Sequence, residues 1–228
     1  MHEQESRATA YTTLAAGPDF RHELEIKRSR FITVMRRSGE EEGARDLVAG
    51  LRKEFHDARH HCSAFVLGPD RDVQRSSDDG EPSGTAGIPM LEALLRRETA
   101  PGVTDLSDVT AVVVRYFGGI LLGAGGLVRA YSESVSSALD LAPLVRRSRL
   151  RICSVEVRHS AAGRLENDLR AAGYVMAETS YGASTTVLRV ALADQPDELD
   201  RAAARLASLT AGSAVLRPEE TDWIDVPF

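Results

Sequence analysis

The stretch that decides the fold is V-V-V-R-Y-F-G-G-I-L-L-G-A-G-G-L-V-R-A-Y, Val112 to Tyr131. Together with Val109 to Ala111 it opens on a continuous apolar run, the pattern of a buried central strand. The run feeds a glycine-rich loop, and from about Gly126 to Leu141 the pattern turns helical, with Leu127, Tyr131, Val135, Ala138 and Leu139 on one face. Strand, glycine loop and helix in that order is the setting in which backbone N–H groups cradle phosphates. Neither nucleotide fingerprint is met, however. Gly118 and Gly123 have the gap of a phosphate-binding loop but are followed by Ala124-Gly125 instead of Lys-Ser/Thr, and Gly123-x-Gly125 lacks the third dinucleotide glycine at Val128. Two readings stay open: a loop at which Arg115, Tyr116, Phe117 and Arg129 receive a phosphate or a stacked base, or tight strand-to-helix packing with Tyr116 and Phe117 in the core.

Upstream, Phe20 to Ile26 and Arg30 to Met35 predict two strands around Lys27-Arg28-Ser29. Ala44, Leu47, Leu51 and Phe55 recur at helical spacing behind Glu40, Glu41 and Glu42, acids well placed at a helix start. Cys62 to Leu67 is an apolar strand stopped by Gly68-Pro69, a polar stretch follows through Arg75, and a helix starts near Ile88 with Pro89 in its first turn. The predicted order is ββαββαβα. Downstream, a strand over Leu150 to Val157, a helix over Ala161 to Ala172, strands over Tyr174 to Ser180 and Thr185 to Ala193, a helix over Asp197 to Leu209 and a strand through Val215 and Leu216 give βαββαβ, the ferredoxin-like order. The fold class is therefore α+β, two sheets each with helices on one face. Pro143 and the basic run Arg146, Arg147, Arg149 and Arg151 predict a solvated connector, with the junction at Val145 to Ser148. The expected division is a flexible tail over 1–19, a first domain over 20–145 and a second over 146–228.

Composition excludes several classes. The 228 residues are 43% hydrophobic and 27% charged, ordinary globular usage, and 28 Lys and Arg against 34 Asp and Glu give a net charge of −6. A protein that grips nucleic acid over its whole surface is excluded, although a local basic face is not. Cys62 and Cys153 are too far apart for a Cys-x-x-Cys site and too few for a disulfide framework. No segment has the apolar length of a membrane span or a secretory leader. A cytoplasmic protein without membrane contact or cofactor is expected.

Three further blocks carry chemistry. Ser76 to Gly87, S-S-D-D-G-E-P-S-G-T-A-G, places Asp78, Asp79 and Glu81 ahead of a helix; they are weak candidates for a hard cation, or else turn and cap residues. In His56 to Cys62, His60 and Cys62 share one strand face and His61 takes the other; a buried inert thiol is the favoured reading of Cys62. Lys27, Arg28, Arg30, Arg36 and Arg37 crowd one acid-free window, either a charged strand edge or an RNA-contacting one.

Lys27 to Ile32 (K-R-S-R-F-I), Ala58 to Val66 (A-R-H-H-C-S-A-F-V), Ser77 to Leu91 and Val112 to Tyr131 together resemble the blocks of the IMPACT/YigZ family. The resemblance implies a first domain similar to ribosomal protein S5 domain 2 and to domain IV of elongation factor G, the IMPACT-type N-terminal domain, and a ferredoxin-like second domain similar to that factor's domain V. Eukaryotic relatives restrain a stress kinase acting on translation initiation through an additional N-terminal domain. With only about 19 residues expected before the first strand, that mechanism is not carried over. What the resemblance implies as a binding surface is Lys27, Arg30, His60, His61, Asp78, Asp79, Glu81, Arg115, Tyr116 and Arg129; it supplies no catalytic residue. The expected function is a non-enzymatic binding protein that contacts RNA or ribosomal components and regulates translation under stress, with Lys27, Arg30, Arg115 and Arg129 on one face. The alternatives are metal-assisted phosphoester hydrolysis at Asp78, Asp79 and Glu81 with His60 or His61 as acid/base, and a module that binds a protein partner. The oligomeric state is not legible.

Overall fold

The computed structural model describes residues 7–226. Its contacts divide the chain into two units, Met1–Arg146 and Arg147–Phe228. The first contains β1 (Ala10–Leu14), β2 (Phe20–Ile26), β3 (Ser29–Arg37), α1 (Glu41–Glu54), β4 (His60–Leu67), β5 (Val73–Ser77), α2 (Gly87–Arg96), β6 (Val109–Tyr116) and α3 (Ala124–Leu141). Five of the strands form an antiparallel sheet in the order β2-β3-β6-β4-β5.

The apolar run 109–114 falls at the centre of that sheet, and its alternation feeds two cores. Val109, Ala111 and Val113 join Phe31, Met35, Cys62, Ala64, Tyr131 and Val135 under α2 and α3. Val112 and Val114 join Ile32, Val34, Leu47 and Leu51 under α1. The first unit thus carries helices on both faces of its sheet, which corrects the one-sided sandwich expected. The physical reason is the same apolar run: even-numbered residues of β6 and β3 need cover as much as the odd ones do, and the stripe of α1 supplies it at roughly 1.5–3 kcal/mol per buried leucine.

The expected tail is also corrected. Residues 1–6 lie outside the described residues, but Tyr11, Thr12, Thr13 and Leu14 of β1 are buried. The Thr12 N–H donates to Asp105 O (3.2 Å), Thr12 O accepts from Ser107 N (2.9 Å), and the Ala15 N–H donates to Pro143 O (2.8 Å). The Tyr11 hydroxyl donates to the Asp108 carboxylate. A five-residue strand of tyrosine and threonine shows no apolar run, so its burial is decided by the partners it meets.

The second unit holds most of β7 (Leu144–Arg158), then α4 (His159–Ala171), β8 (Val175–Met176), β9 (Ser180–Tyr181), β10 (Thr185–Leu192), α5 (Pro196–Thr210) and β11 (Arg217–Val226). β11 pairs with β7, β7 with β10, and β10 with both β8 and β9. With β8 and β9 taken as one interrupted strand this is the ferredoxin-like order, fourth-first-third-second, with α4 and α5 closing one face over Cys153, Val155, Leu188 and Val190. Two boundaries differ from expectation. The last strand begins at Arg217, leaving Val215 65% exposed. The division after Arg146 falls within the expected junction, but the basic run is strand β7 and not a solvated stretch: Arg151 pairs with Asp194 (2.7 Å) and Arg147 with Asp225 (3.6 Å), so distant acids neutralise cations that looked solvated. Among the described residues no helix is long and apolar enough to cross a membrane.

Candidate functional site

The site lies at the end of the first sheet where β3 begins, β4 begins and β6 ends, since Arg30 pairs with Tyr116 and His60 with Arg115. Ile26 and Ser29 pair across a two-residue turn in which Lys27 (φ 49°) and Arg28 (φ 64°) are both left-handed, the type I′ geometry that suits a hairpin. Gly118 packs against that turn. A Cβ on Gly118 would stand 2.0 Å from the Arg28 carbonyl carbon and 2.4 Å from Ser29 N, so no other residue fits. Its own N–H donates to Ser29 Oγ (3.2 Å). Beyond it the chain turns through Gly119 (φ 84°) and Gly123 (φ 68°) and leaves Phe117 (55%) and Leu121 (85%) exposed. The reading that buried Phe117 in the core is therefore set aside, whereas Tyr116 is half-buried and donates to Asp57 Oδ1 (2.6 Å).

Under this loop opens a cleft of about 600 Å³ whose walls include Arg59, His60, Glu81, Arg115, Phe117 and Ala124. α3 starts at its wall without a side-chain cap and without an acid in its first turn. Leu127 is the first residue whose N–H reaches back to Gly123 O (2.9 Å), so the amides of Ala124, Gly125 and Gly126 precede the first helical hydrogen bond.

The base of the cleft is a buried polar network. Arg115 Nη1 donates to Glu81 Oε1 (2.6 Å), side chains that are 7% and 4% exposed. Tyr131 OH donates to the same oxygen (2.8 Å), and Phe31 meets the Tyr131 ring edge-on at 5.3 Å. The Arg115 guanidinium lies over Phe31 (5.4 Å) and Phe117 (5.9 Å). The Cys62 thiol faces Asp78 O (3.0 Å) and Tyr131 OH (3.3 Å). Burial pushes it up to about 12, so it is a protonated, unreactive thiol at neutral pH. Burial likewise raises the Tyr131 phenol, with Cys62 and Glu81 adding to the effect.

The three acids of the preceding loop serve three separate sets of donors. Asp78 Oδ1 accepts from Ala86 N (3.0 Å) and Gly87 N (2.8 Å), and Oδ2 from Gly84 N (2.8 Å). Burial pushes the Asp78 carboxyl up, but those three N–H groups outweigh it and hold the group below the usual carboxylate range. Gly87 makes the arrangement possible, because a Cβ there would stand 2.7 Å from Ser77 N. Asp79, at φ 41°, accepts from the His61 N–H (2.6 Å) and pairs with Arg52 of α1. Glu81 is held by Arg115 and Tyr131. The oxygens a cation would need are thus engaged by N–H and O–H donors, and among the described residues no group of three His, Cys, Asp or Glu is placed to hold a metal. The Asp79 carbonyl lies 3.0 Å from His60 Nδ1. A carbonyl only accepts, so Nδ1 is the donor in this contact. His61 is buried on the α1 side, where desolvation lowers its pKa despite nearby Asp79.

The candidates are therefore only partly brought together. His60, Glu81, Arg115 and Tyr116 line the cleft; the Lys27 turn abuts Gly118, and the Arg129 guanidinium reaches back toward Gly125. Arg30 is elsewhere. It alternates to the sheet face opposite Arg115, pairs with Glu23 (2.8 Å) and lies over Tyr116 (5.5 Å). The single face expected for Lys27, Arg30, Arg115 and Arg129 does not form, and Arg115 is buried. Arg59 and Tyr131 belong to the site without having been singled out as site residues, whereas Phe117 was one of the two readings of the glycine loop.

A sheet end closed by a glycine-rich loop over an aromatic-rimmed cleft, joined in sequence to a ferredoxin-like unit, defines a two-domain α+β protein. Residues 27–139 match the Impact N-terminal domain, and residues 155–213 match a domain of unknown function, DUF1949. The chain belongs to the IMPACT family. It is 44% identical to the IMPACT family member YvyE of Bacillus subtilis over 70% of each chain. It is 40% identical to the IMPACT family member YigZ of Escherichia coli over 84% of this chain and 90% of that one. A crystal structure of a hypothetical protein, 37% identical, superposes with a TM-score of 0.56 over 93% of this chain and 98% of its own.

Proposed function

We propose that this chain is a non-catalytic cytoplasmic protein that binds single-stranded RNA, ribosomal RNA included, at the cleft of its first unit and thereby regulates translation under stress. The observation that supports it is a contrast between two sets of cations. Arg21 of β2 and Arg30 and Arg36 of β3 each hold a carboxylate, from Glu54, Glu23 and Asp19, and present little net charge. Lys27, Arg28, Arg59 and Arg129 make no ion pair among the described residues. These four gather around the glycine loop, beside the exposed ring of Phe117. Phosphates suit these four unpaired cations, and a stacked base suits the Phe117 ring. Hydrolysis at Asp78, Asp79 and Glu81 is the weaker reading, because protein donors engage all three acids.

Fluorescence anisotropy with a short 3′-labelled single-stranded RNA tests the proposal. Three or four phosphate contacts give a slope of about −2 to −3 in log affinity against log salt, at roughly −0.7 per contact. Combined reversal in Lys27→Glu, Arg59→Glu and Arg129→Glu should weaken binding by at least about tenfold. Absence of binding at low salt overturns it.

A further inference from the structure

We propose that the cleft recognises the 5′-monophosphate end of an RNA strand, with the phosphate between the amide edge of α3 and the Arg115 guanidinium and the first base against Phe117. The inference rests on the RNA reading above and adds which part of the strand is held. Two independent features converge on it. The first is the bare start of an 18-residue helix: Ala124, Gly125 and Gly126 offer amides ahead of the first helical bond, with no cap and no acid. A Cβ on Gly125 would meet nothing nearer than Arg129 Nη1 at 3.8 Å, so the backbone can be approached closely. The second is Arg115. This guanidinium lines the cleft with its side chain 93% removed from solvent, given 7% exposure. Glu81 accepts from Nη1, but Nε is buried with no acceptor among the described residues. A guanidinium carries five donors in a fixed fork that matches phosphate, and a buried donor left without a partner is unfavourable.

Charge sets the number of phosphates. The groups facing the cleft are Arg59, His60 and Arg115 against Asp57 and Glu81. Both acids are engaged, Asp57 by Tyr116 OH (2.6 Å) and Glu81 by Arg115 and Tyr131 (2.6 and 2.8 Å), yet they still repel added negative charge. One terminal phosphate, carrying about −1.5 to −2 at neutral pH, gains more from a helix N-terminus and a guanidinium than an internal phosphodiester at −1. A triphosphate brings two further groups for which the walls hold no free cation beyond Arg59. The volume of about 600 Å³ is in the range of small-molecule sites and suits one terminal nucleotide.

The test compares one RNA sequence, labelled at its 3′ end, carrying a 5′-hydroxyl, a 5′-monophosphate or a 5′-triphosphate, binding to the full chain. The 5′-monophosphate form is expected to bind at least about tenfold more tightly than the 5′-hydroxyl form, and more tightly than the triphosphate. Ala124→Pro removes one amide at the first helical position, where proline is well tolerated. This variant should lose most of the preference for the phosphate, read as the ratio of 5′-monophosphate to 5′-hydroxyl affinity within the same chain. Equal affinity of the wild-type chain for the hydroxyl and monophosphate forms overturns end recognition and leaves the RNA reading standing. An unchanged preference in Ala124→Pro overturns the assignment to α3. Failure of all three RNAs to bind at low salt overturns the RNA reading itself.

Discussion

Gly118→Ala isolates the contact that builds the loop. The three nearest neighbours of the added Cβ are backbone atoms, Arg28 C at 2.0 Å, Arg28 O at 2.1 Å and Ser29 N at 2.4 Å, so no side chain can swing aside. Reaching the 3.0 Å that real Cβ atoms respect requires the Lys27-Arg28 turn and the Gly118 backbone to part by about 1 Å. Forced expansion of packed structure costs about 1–3 kcal/mol, and a rigid neighbour places this site at the top of that range. Alanine stiffens the unfolded chain and returns about 0.4–1 kcal/mol. The net expectation is a loss of about 2 kcal/mol from the first unit. Gly50→Ala is the control: it sits on exposed α1 with nothing within 4 Å, and alanine there should stabilise by about 0.5–1 kcal/mol. The assay must resolve the two units, because a two-unit chain need not unfold in one step and Trp223, the one tryptophan, lies in β11 of the second. Hydrogen exchange of peptides from β3 and β6 against urea concentration does so. A Gly118→Ala chain whose β3 and β6 amides are protected as well as in wild type would refute the packing reasoning.

Glu81→Gln leaves the buried Arg115 guanidinium without its counter-charge, and breaking such a pair costs about 3–5 kcal/mol; a urea midpoint for the first unit within error of wild type would count against the network. For Asp78 the sign follows from its lowered folded pKa: the unfolded group, near 3.9, binds protons first. The stabilisation is complete above that value and fades as pH falls through the lower folded value. Asp78→Asn should therefore lose about 1–2 kcal/mol at neutral pH and show a shallower acid dependence, and parallel acid-unfolding curves for the two chains would refute it.

How much of this was legible in the sequence depended on how local the deciding contact is. The central strand could be read from 109–114 alone, and His60, His61 and Cys62 divide between the two faces as period-two alternation demands. That α1 covers the second face was implied by the same run, because Val112 and Val114 are as apolar as Ala111 and Val113 on the other face. The buried pair of Arg115 and Glu81 was not legible, since it joins residues 34 positions apart across two loops. Nor was the separation of Arg30 from Arg115, which is set by the β3–β6 register. The basic run of β7 misled because its neutralising acids arrive from elsewhere in the chain, Asp194 from the loop after β10 and Asp225 from β11. β1 was hidden for the complementary reason: Tyr11 and Thr13 look solvated until Asp108 is beside them.

β1 also constrains the order of events during synthesis. Its partners are Asp105 to Asp108 and Pro143, so during synthesis this strand has nothing to pair with until residues 105–108 have been made, and its last link waits for Pro143. Such long-range closure is slow and comes late. Until Pro143 emerges, Leu14 and the core beside Leu106 are exposed together, and the nascent first unit is open at the point where its two ends meet.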